Sequence, residues 1–224
     1  MSNNSKRKFL NFSFFKIDSK WRWMNGQTKQ DSAKEFISII NAADTVQCRT
    51  YSTLGLREDA DFLLWFISDD VDSTQDIISK LYYTVLGKYI NSTYNYLSAT
   101  RPSTYAPSAV PAFMKGEKPL RYLIVYPFIK SRKWYLLPFE ERKKMMEEHI
   151  VVGRKFPQVK LNTTYSFGLG DQDFMLAFET DDLSAFQDLI MQLREIQVSK
   201  YIVKDTPMMV CVRKELEELI RSLG

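Results

Sequence analysis

The sequence predicts an α+β fold made of two tandem β-α-β-β-α-β halves, and three observations carry that prediction. First, the chain repeats itself: LGLREDADFLLWFISDDVDSTQDIISKL at 54–81 returns as FGLGDQDFMLAFETDDLSAFQDLIMQL at 167–193. From Asp61 and Asp173 onward the offset is constant and pairs Asp61, Phe62, Leu64, Phe66, Asp69, Asp70, Gln75, Asp76, Ile78 and Leu81 with identical residues. Second, the same order of strands and helices extends outward from both copies. Third, the stretch between them, RPSTYAPSAVPAFMKGEKP, carries Pro102, Pro107, Pro111 and Pro119, and proline cannot sustain ladder hydrogen bonding there.

In the first half, KFLNFSFFKI alternates as a strand and DSAKEFISIINAAD has the apolar spacing of a helix. VQCRTYSTLGL and DADFLLWFIS form a hairpin, DSTQDIISKLYYTVL is a second amphipathic helix, and TYNYLSAT a last strand. In the second half the order returns as LRYLIVYPFI, a helix beginning near Pro138, QVKLNTTYSFGL with DFMLAFET, a helix over 183–194, and TPMMVCVR. The Asp-Asp pair before each later helix suits the positive end of the macrodipole. Each half is the ferredoxin-like arrangement, an antiparallel sheet with helices on one face. The free sheet faces need burying, so the expected architecture is two ferredoxin-like halves packed as a dimeric α+β barrel within one chain. The expected boundaries are 1–101, a proline-rich linker over 102–118, and 119–224, with a ligand pocket on one side of one half.

Composition bounds the function. The chain is 45% hydrophobic and 26% charged, within the globular range, and its net charge of +4 is spread over Lys6-Arg7-Lys8, Arg142-Lys143-Lys144 and Arg154-Lys155. Such clusters are ordinarily solvated faces, and they also suit a ligand carrying several carboxylates. Cys48 and Cys211 form no CxxC pair and have no histidine near them, so they read as two buried thiols rather than a zinc or redox site. No run reaches the ~20 apolar residues that span a bilayer, and the start lacks the apolar stretch of a secretory signal. The expected location is cytoplasmic, without membrane or nucleic-acid partners, since the glycine and aromatic pattern of an RNA-binding sheet is missing.

His149 is the only histidine of the 224 residues. It shares a stripe with Phe139, Met145, Met146, Val152 and Phe156 on the helix that Pro138 opens, Glu140 and Glu141 complement, and Gly153 ends. An imidazole there is either plain core or a ligand aimed into an apolar cavity, where a flat macrocycle would complete the packing.

The run YPFIKSRKWYLLPFEERKKMMEEHIVVGRKF at 126–156 resembles the chlorite dismutase-like heme proteins, and most closely their coproheme decarboxylase branch. The resemblance rests on the Tyr126-Pro127 start, Lys130 four residues on, the WY-x-x-P-x-EER segment and a histidine closing the helix before Gly153-Arg154-Lys155-Phe156. FFKIDSKWR at 14–22, FGLGDQDF, ETDDLSAFQDLI and LREIQVS at 193–199 extend it over most of the chain.

That resemblance implies an oxidoreductase whose substrate, iron coproporphyrin III (coproheme), is also its redox centre. Hydrogen peroxide would convert two propionates to vinyl groups, giving heme b. It assigns His149 as proximal iron ligand, Tyr126 as the residue that becomes a radical, and Lys130 as the lysine near the reacting propionates. Arg194 and Ser199 match positions that bind porphyrin carboxylates, and Tyr96 and Ser98 are expected to line the same site. It further implies a homo-oligomer, a homopentamer, and leaves room for a coproporphyrin ferrochelatase as partner.

Two positions depart from the pattern. Chlorite dismutases proper have an arginine thirteen residues after the histidine, where this chain has Asn162, an amide closer to the glutamine usual in the decarboxylases. The arginine that the branch often has before its second half is replaced by Ala112, which implies either a weaker hold on one propionate or its supply by another residue such as Arg121. A heme peroxidase, a chlorite-decomposing protein and a non-catalytic heme carrier are the competing expectations.

Overall fold

The computed structural model describes residues 7–224, and its backbone falls into two compact units: the residues up to Thr100 together with Cys211–Gly224, and Arg101–Val210. The first unit contains β1 (Phe9–Ile17), α1 (Gly26–Asn41), β2 (Val46–Ser52), β3 (Phe62–Ser68), α2 (Asp72–Tyr83) and β4 (Ile90–Ala99). Its strands run antiparallel in the order β4-β1-β3-β2, the order a β-α-β-β-α-β chain makes when its two helices cover one face. Phe62, Leu64 and Phe66 of β3 pack with Phe36 and Ile40 of α1 and Ile77 and Leu81 of α2. β3 is buried at every position, which explains why its sequence is a continuous apolar run rather than an alternation.

The second unit contains β5 (Tyr122–Lys130), α3 (Arg132–Leu136), α4 (Phe139–Gly153), β6 (Lys160–Tyr165), β7 (Phe174–Thr180), α5 (Leu183–Glu195), the short β8 (Ile202–Lys204) and the start of β9 (Met209–Arg213). β7 lies between β6 and β5, antiparallel to both, and β8 pairs with the end of β5. The expected fold class holds in each unit.

The internal repeat has a structural cause. Gly55 and Gly168 have φ of 76° and 73°, and each follows a residue whose neighbour, Thr53 or Ser166, accepts the closing turn hydrogen bond. Only glycine meets that backbone demand without strain. Asp70 and Asp182 accept the Ser73 and Ser184 N–H groups at 2.8 and 2.9 Å, satisfying the first turns of α2 and α5. Asp61 and Asp173 each receive one backbone N–H from the end of the first strand of their unit, Ile17 and Lys130, both at 2.9 Å. The same carboxylate therefore fastens the same strand end twice.

Three expectations are corrected. α1 begins at Gly26, not near Asp31, because Asn25 accepts the Gln27 N–H at 2.9 Å and starts a first turn too polar to show helical periodicity. The second half does not run from 119 to 224. Val212 and Arg213 pair with Ser52 and Tyr51 of β2, and α6 (Leu216–Arg221) places Leu216, Leu219 and Ile220 in the core of the first unit. Residues 102–118 are not a free linker either: they belong to the second unit, with Phe113 buried and Lys160 Nζ 2.6 Å from Glu117.

Candidate porphyrin site

The site grows from β5 and α4 of the second unit. Tyr126 and Lys130 stand four residues apart on one strand, so they share a face. Tyr126 is buried, stacked on Phe178 with ring centroids 6.0 Å apart, in a cluster with Ile124, Trp134, Val152 and Phe156. Burial raises its phenol well above the usual range; Asp205 adds to the shift and Arg194 opposes it. Its hydroxyl makes no hydrogen bond among the described residues and is held in the protonated form.

Lys130 occupies the slot that the repeat gives to buried Ile17 in the first unit. Its ammonium lies 3.6 Å from the centre of the Trp134 ring and 3.6 Å from Met146 Sδ. Trp134 is in turn flanked by Tyr105 and Tyr201, at 6.3 and 5.5 Å between centroids. Partners without formal charge leave the cation poorly compensated, and burial together with the charge of Arg142 lowers its pKa to about 7, against a weaker opposing pull from Asp173. The stability consequence follows from linkage. Between pH 7 and the unfolded value of 10.5 the unfolded chain holds the extra proton, so this residue makes stability rise across that window. Lys130→Met is expected to raise the melting temperature of the ligand-free protein below pH 7, and the gain should shrink to nothing by about pH 10.5.

Asp173 positions this end of β5. One of its oxygens accepts both the Lys130 N–H at 2.9 Å and the Tyr135 hydroxyl at 2.7 Å. Asp173→Ala is expected to cost about 2–3 kcal/mol in urea denaturation, since it strands a backbone donor and a phenol at once.

His149 is half-buried, and among the described residues its ring makes no hydrogen bond. Burial, then the nearby Lys130 charge, lowers its pKa to about 4, so the imidazole is neutral at physiological pH, the form that ligates a metal. α4 differs from the other long helices. α1, α2 and α5 each bury three residues, whereas α4, at 15 residues, buries only Val152. Met145, Met146 and His149 remain half-open on a continuous stripe. A neutral imidazole on a partly open apolar strip, with a cation beside it, fits a flat, acidic, iron-bearing ligand in its donor chemistry and its surface.

The other expected residues divide. Arg194, in the last turn of α5, is exposed and 3.5 Å from Asp205, and this pair is the charged neighbourhood of the Tyr126 phenol. Ser199 donates its hydroxyl to the Ile196 carbonyl at 2.7 Å. Asn162 is buried and engaged: its Oδ1 accepts the Phe113 N–H at 3.0 Å and its Nδ2 donates to Glu179 at 2.9 Å. It ties the 102–118 segment to β6, a role invisible in the sequence because both partners are distant along the chain. Ala112 is buried beside that contact, while Arg121 is exposed with its guanidinium 5.0 Å from the Tyr122 ring. Tyr96 and Ser98 belong to β4 of the first unit. Tyr96 stacks on Tyr94 at 6.0 Å and its pKa is pushed up to about 12, chiefly by burial; Ser98 is fully buried. A cavity of about 450 Å³ also opens in the first unit, but Tyr82 is the only titratable residue in its lining. Sequence reasoning missed Asp173 and Asp205 as site residues and placed Met146 only on the apolar stripe of His149; of the two missed acids only Asp173 had a signal, its identity with Asp61.

Comparisons with known proteins place the chain in a family. A family model described as chlorite dismutase matches residues 29–214. A protein named coproheme decarboxylase from Mycolicibacterium smegmatis is 34% identical over 221 residues, covering 98% of this chain and 96% of the relative. Among solved structures, a chlorite dismutase variant from Candidatus Nitrospira defluvii superposes with a TM-score of 0.90 at 24% identity, over 98% of this chain and 96% of that one. The putative chlorite dismutase TA0507 does so at 0.83 and 23%, over 98% and 100%. No helix among the described residues is long and apolar enough to cross a membrane. The second unit's histidine strip, the repeated fold and the span of these matches lead to one conclusion: the chain belongs to the chlorite dismutase family.

Proposed function

We propose that the chain is a coproheme decarboxylase, which uses hydrogen peroxide to convert two propionates of iron coproporphyrin III to vinyl groups and so forms heme b. The observation that carries this reading is the half-open strip of α4, where a neutral His149, without a hydrogen bond among the described residues, neighbours a weakly compensated Lys130 in the same unit as a protonated, buried Tyr126. The named relative from Mycolicibacterium smegmatis supports the substrate class.

Each conversion balances as one propionic acid group and one peroxide giving a vinyl group, carbon dioxide and two waters. Peroxide is the two-electron oxidant: iron in the bound porphyrin would activate it, and the two electrons taken from each propionate would reduce it to water. His149 holds the substrate by its metal, and the depressed pKa keeps that nitrogen lone pair free. Lys130 orients a propionate by a charge-assisted hydrogen bond. Tyr126 gives up an electron and its phenolic proton together, and the tyrosyl radical then removes a hydrogen atom from the propionate β-carbon. Loss of a second electron and of carbon dioxide leaves the vinyl group. A phenol that stays protonated is the form suited to this step. Asn162 argues against chlorite chemistry, since an amide already donated to Glu179 offers no positive charge to an oxyanion. By the same resemblance we infer a cytoplasmic homo-oligomer, a homopentamer, that receives coproheme from a coproporphyrin ferrochelatase.

The test is to load the protein with iron coproporphyrin III, titrate hydrogen peroxide, and follow the porphyrin by mass spectrometry. Stepwise loss of two carboxyl groups is the expected result. Unchanged coproheme with a normally bound spectrum would make the protein a carrier.

A further inference from the structure

Arg142 stands on α4 one turn before Met146 and two turns before His149, so the three side chains leave the helix on one face. Its guanidinium carbon lies 5.8 Å from the centre of the Phe139 ring, and Phe139 itself stacks on Tyr105 at 6.0 Å. The Arg142 Nε is shielded from solvent and has no hydrogen-bond partner among the described residues. Lys130 Nζ touches the sulfur of Met146, the residue one turn along the same face. Two cations therefore approach one strip from two elements, and the charge of one is felt by the other.

Neither cation is in an ion pair with an acidic side chain among the described residues. Asp173 is the acid whose charge acts on Lys130, and the oxygen it turns toward β5 already accepts two hydrogen bonds. Glu140, Glu141, Glu147 and Glu148 of α4 are exposed. A shielded guanidinium N–H without an acceptor, beside a second cation, is a costly arrangement unless an anion completes it. A carboxylate has the right form: two oxygens for the planar fork of arginine and a remaining lone pair for an ammonium.

We propose that Arg142 and Lys130 form a two-cation clamp for a carboxylate that coproheme carries and heme b lacks. The inference rests on the porphyrin reading and adds Arg142 to it as a specificity-determining residue. Conversion of that carboxylate to carbon dioxide leaves the two cations facing each other without an anion. The clamp thus favours substrate over product and assists release of heme b.

The test compares wild type, Arg142→Met and Arg142→Lys in spectral titrations with iron coproporphyrin III and with heme b, alongside urea denaturation of the ligand-free proteins. Methionine keeps the apolar packing on Phe139 and removes the charge. Its binding of iron coproporphyrin III should weaken about tenfold or more, heme b should bind as before, and the ligand-free protein should be as stable as wild type or more so. Arg142→Lys should recover part of the coproheme affinity. Equal losses for both porphyrins, no loss for either, or a loss of stability parallel to the loss of binding in both variants would overturn the clamp. If wild type binds neither porphyrin, the underlying porphyrin reading fails instead, independently of either variant.

Discussion

His149→Ala should lose peroxide-dependent turnover altogether and weaken coproheme binding by at least ~100-fold, the upper range when merely an outer partner of a metal ligand is removed. The chain has no second imidazole to take over, since His149 is its only histidine. Residual binding should come from the cationic groups that meet the propionates, and it should therefore fall steeply with added salt. His149 is half-buried and makes no hydrogen bond within the described residues, so its removal should leave the urea midpoint of the ligand-free protein close to wild type. Added imidazole should restore much of the lost turnover by filling the gap on α4. A variant that bound coproheme normally and still converted it would contradict the assignment.

Tyr126→Phe is the second large effect, and it separates chemistry from binding. The ring stays, with its stacking on Phe178 and its place in the core, and only a hydroxyl without a hydrogen-bond partner among the described residues is lost. Stability should be unchanged or slightly higher, because a buried polar group without a partner is unfavourable. Coproheme should bind with near-wild-type affinity. Its decarboxylation should slow by on the order of 10³-fold, ~4 kcal/mol in the barrier, because phenylalanine has no hydrogen atom to give with an electron. Stopped-flow absorbance paired with mass spectrometry distinguishes slow conversion from poor loading.

Much of this was legible in the residues. The pairing of Asp61 with Asp173 led to two units of one topology, and those two carboxylates prove to do one job, each fastening the end of a first strand. The strands were legible because their apolar runs are bounded by turn glycines at Gly55 and Gly168, positions where φ is positive. What stayed hidden depends on partners far away in the chain. α6 looks like a short amphipathic tail, and nothing local says that Leu216, Leu219 and Ile220 fill the core of the first unit. Residues 102–118 look like a spacer because prolines mask the docking of Phe113 on Asn162, 49 residues away. α3 is five residues long, too short for a periodic signal.

At the site, His149 stood out by uniqueness, and His149, Tyr126 and Lys130 by resemblance. The repeat adds to the reading of Lys130, since a lysine replaces the buried Ile17 of the other unit and meets Trp134 and Met146 instead of an acid. Arg142 could be read from sequence only as the last residue of the WY-x-x-P-x-EER segment and as one of a basic cluster that suits a ligand with several carboxylates. Its shielded, partnerless nitrogen is a three-dimensional fact.

Because there is a single histidine, labelling the protein with ¹⁵N-histidine marks one side chain only. The decisive measurement is the electron paramagnetic resonance spectrum of the ferrous nitrosyl complex formed with iron coproporphyrin III, in labelled and unlabelled protein. Bonding of His149 to the iron predicts a hyperfine splitting from the axial nitrogen that changes from the ¹⁴N to the ¹⁵N pattern on labelling. A splitting unaltered by the label, or a five-coordinate spectrum in both samples, would contradict it.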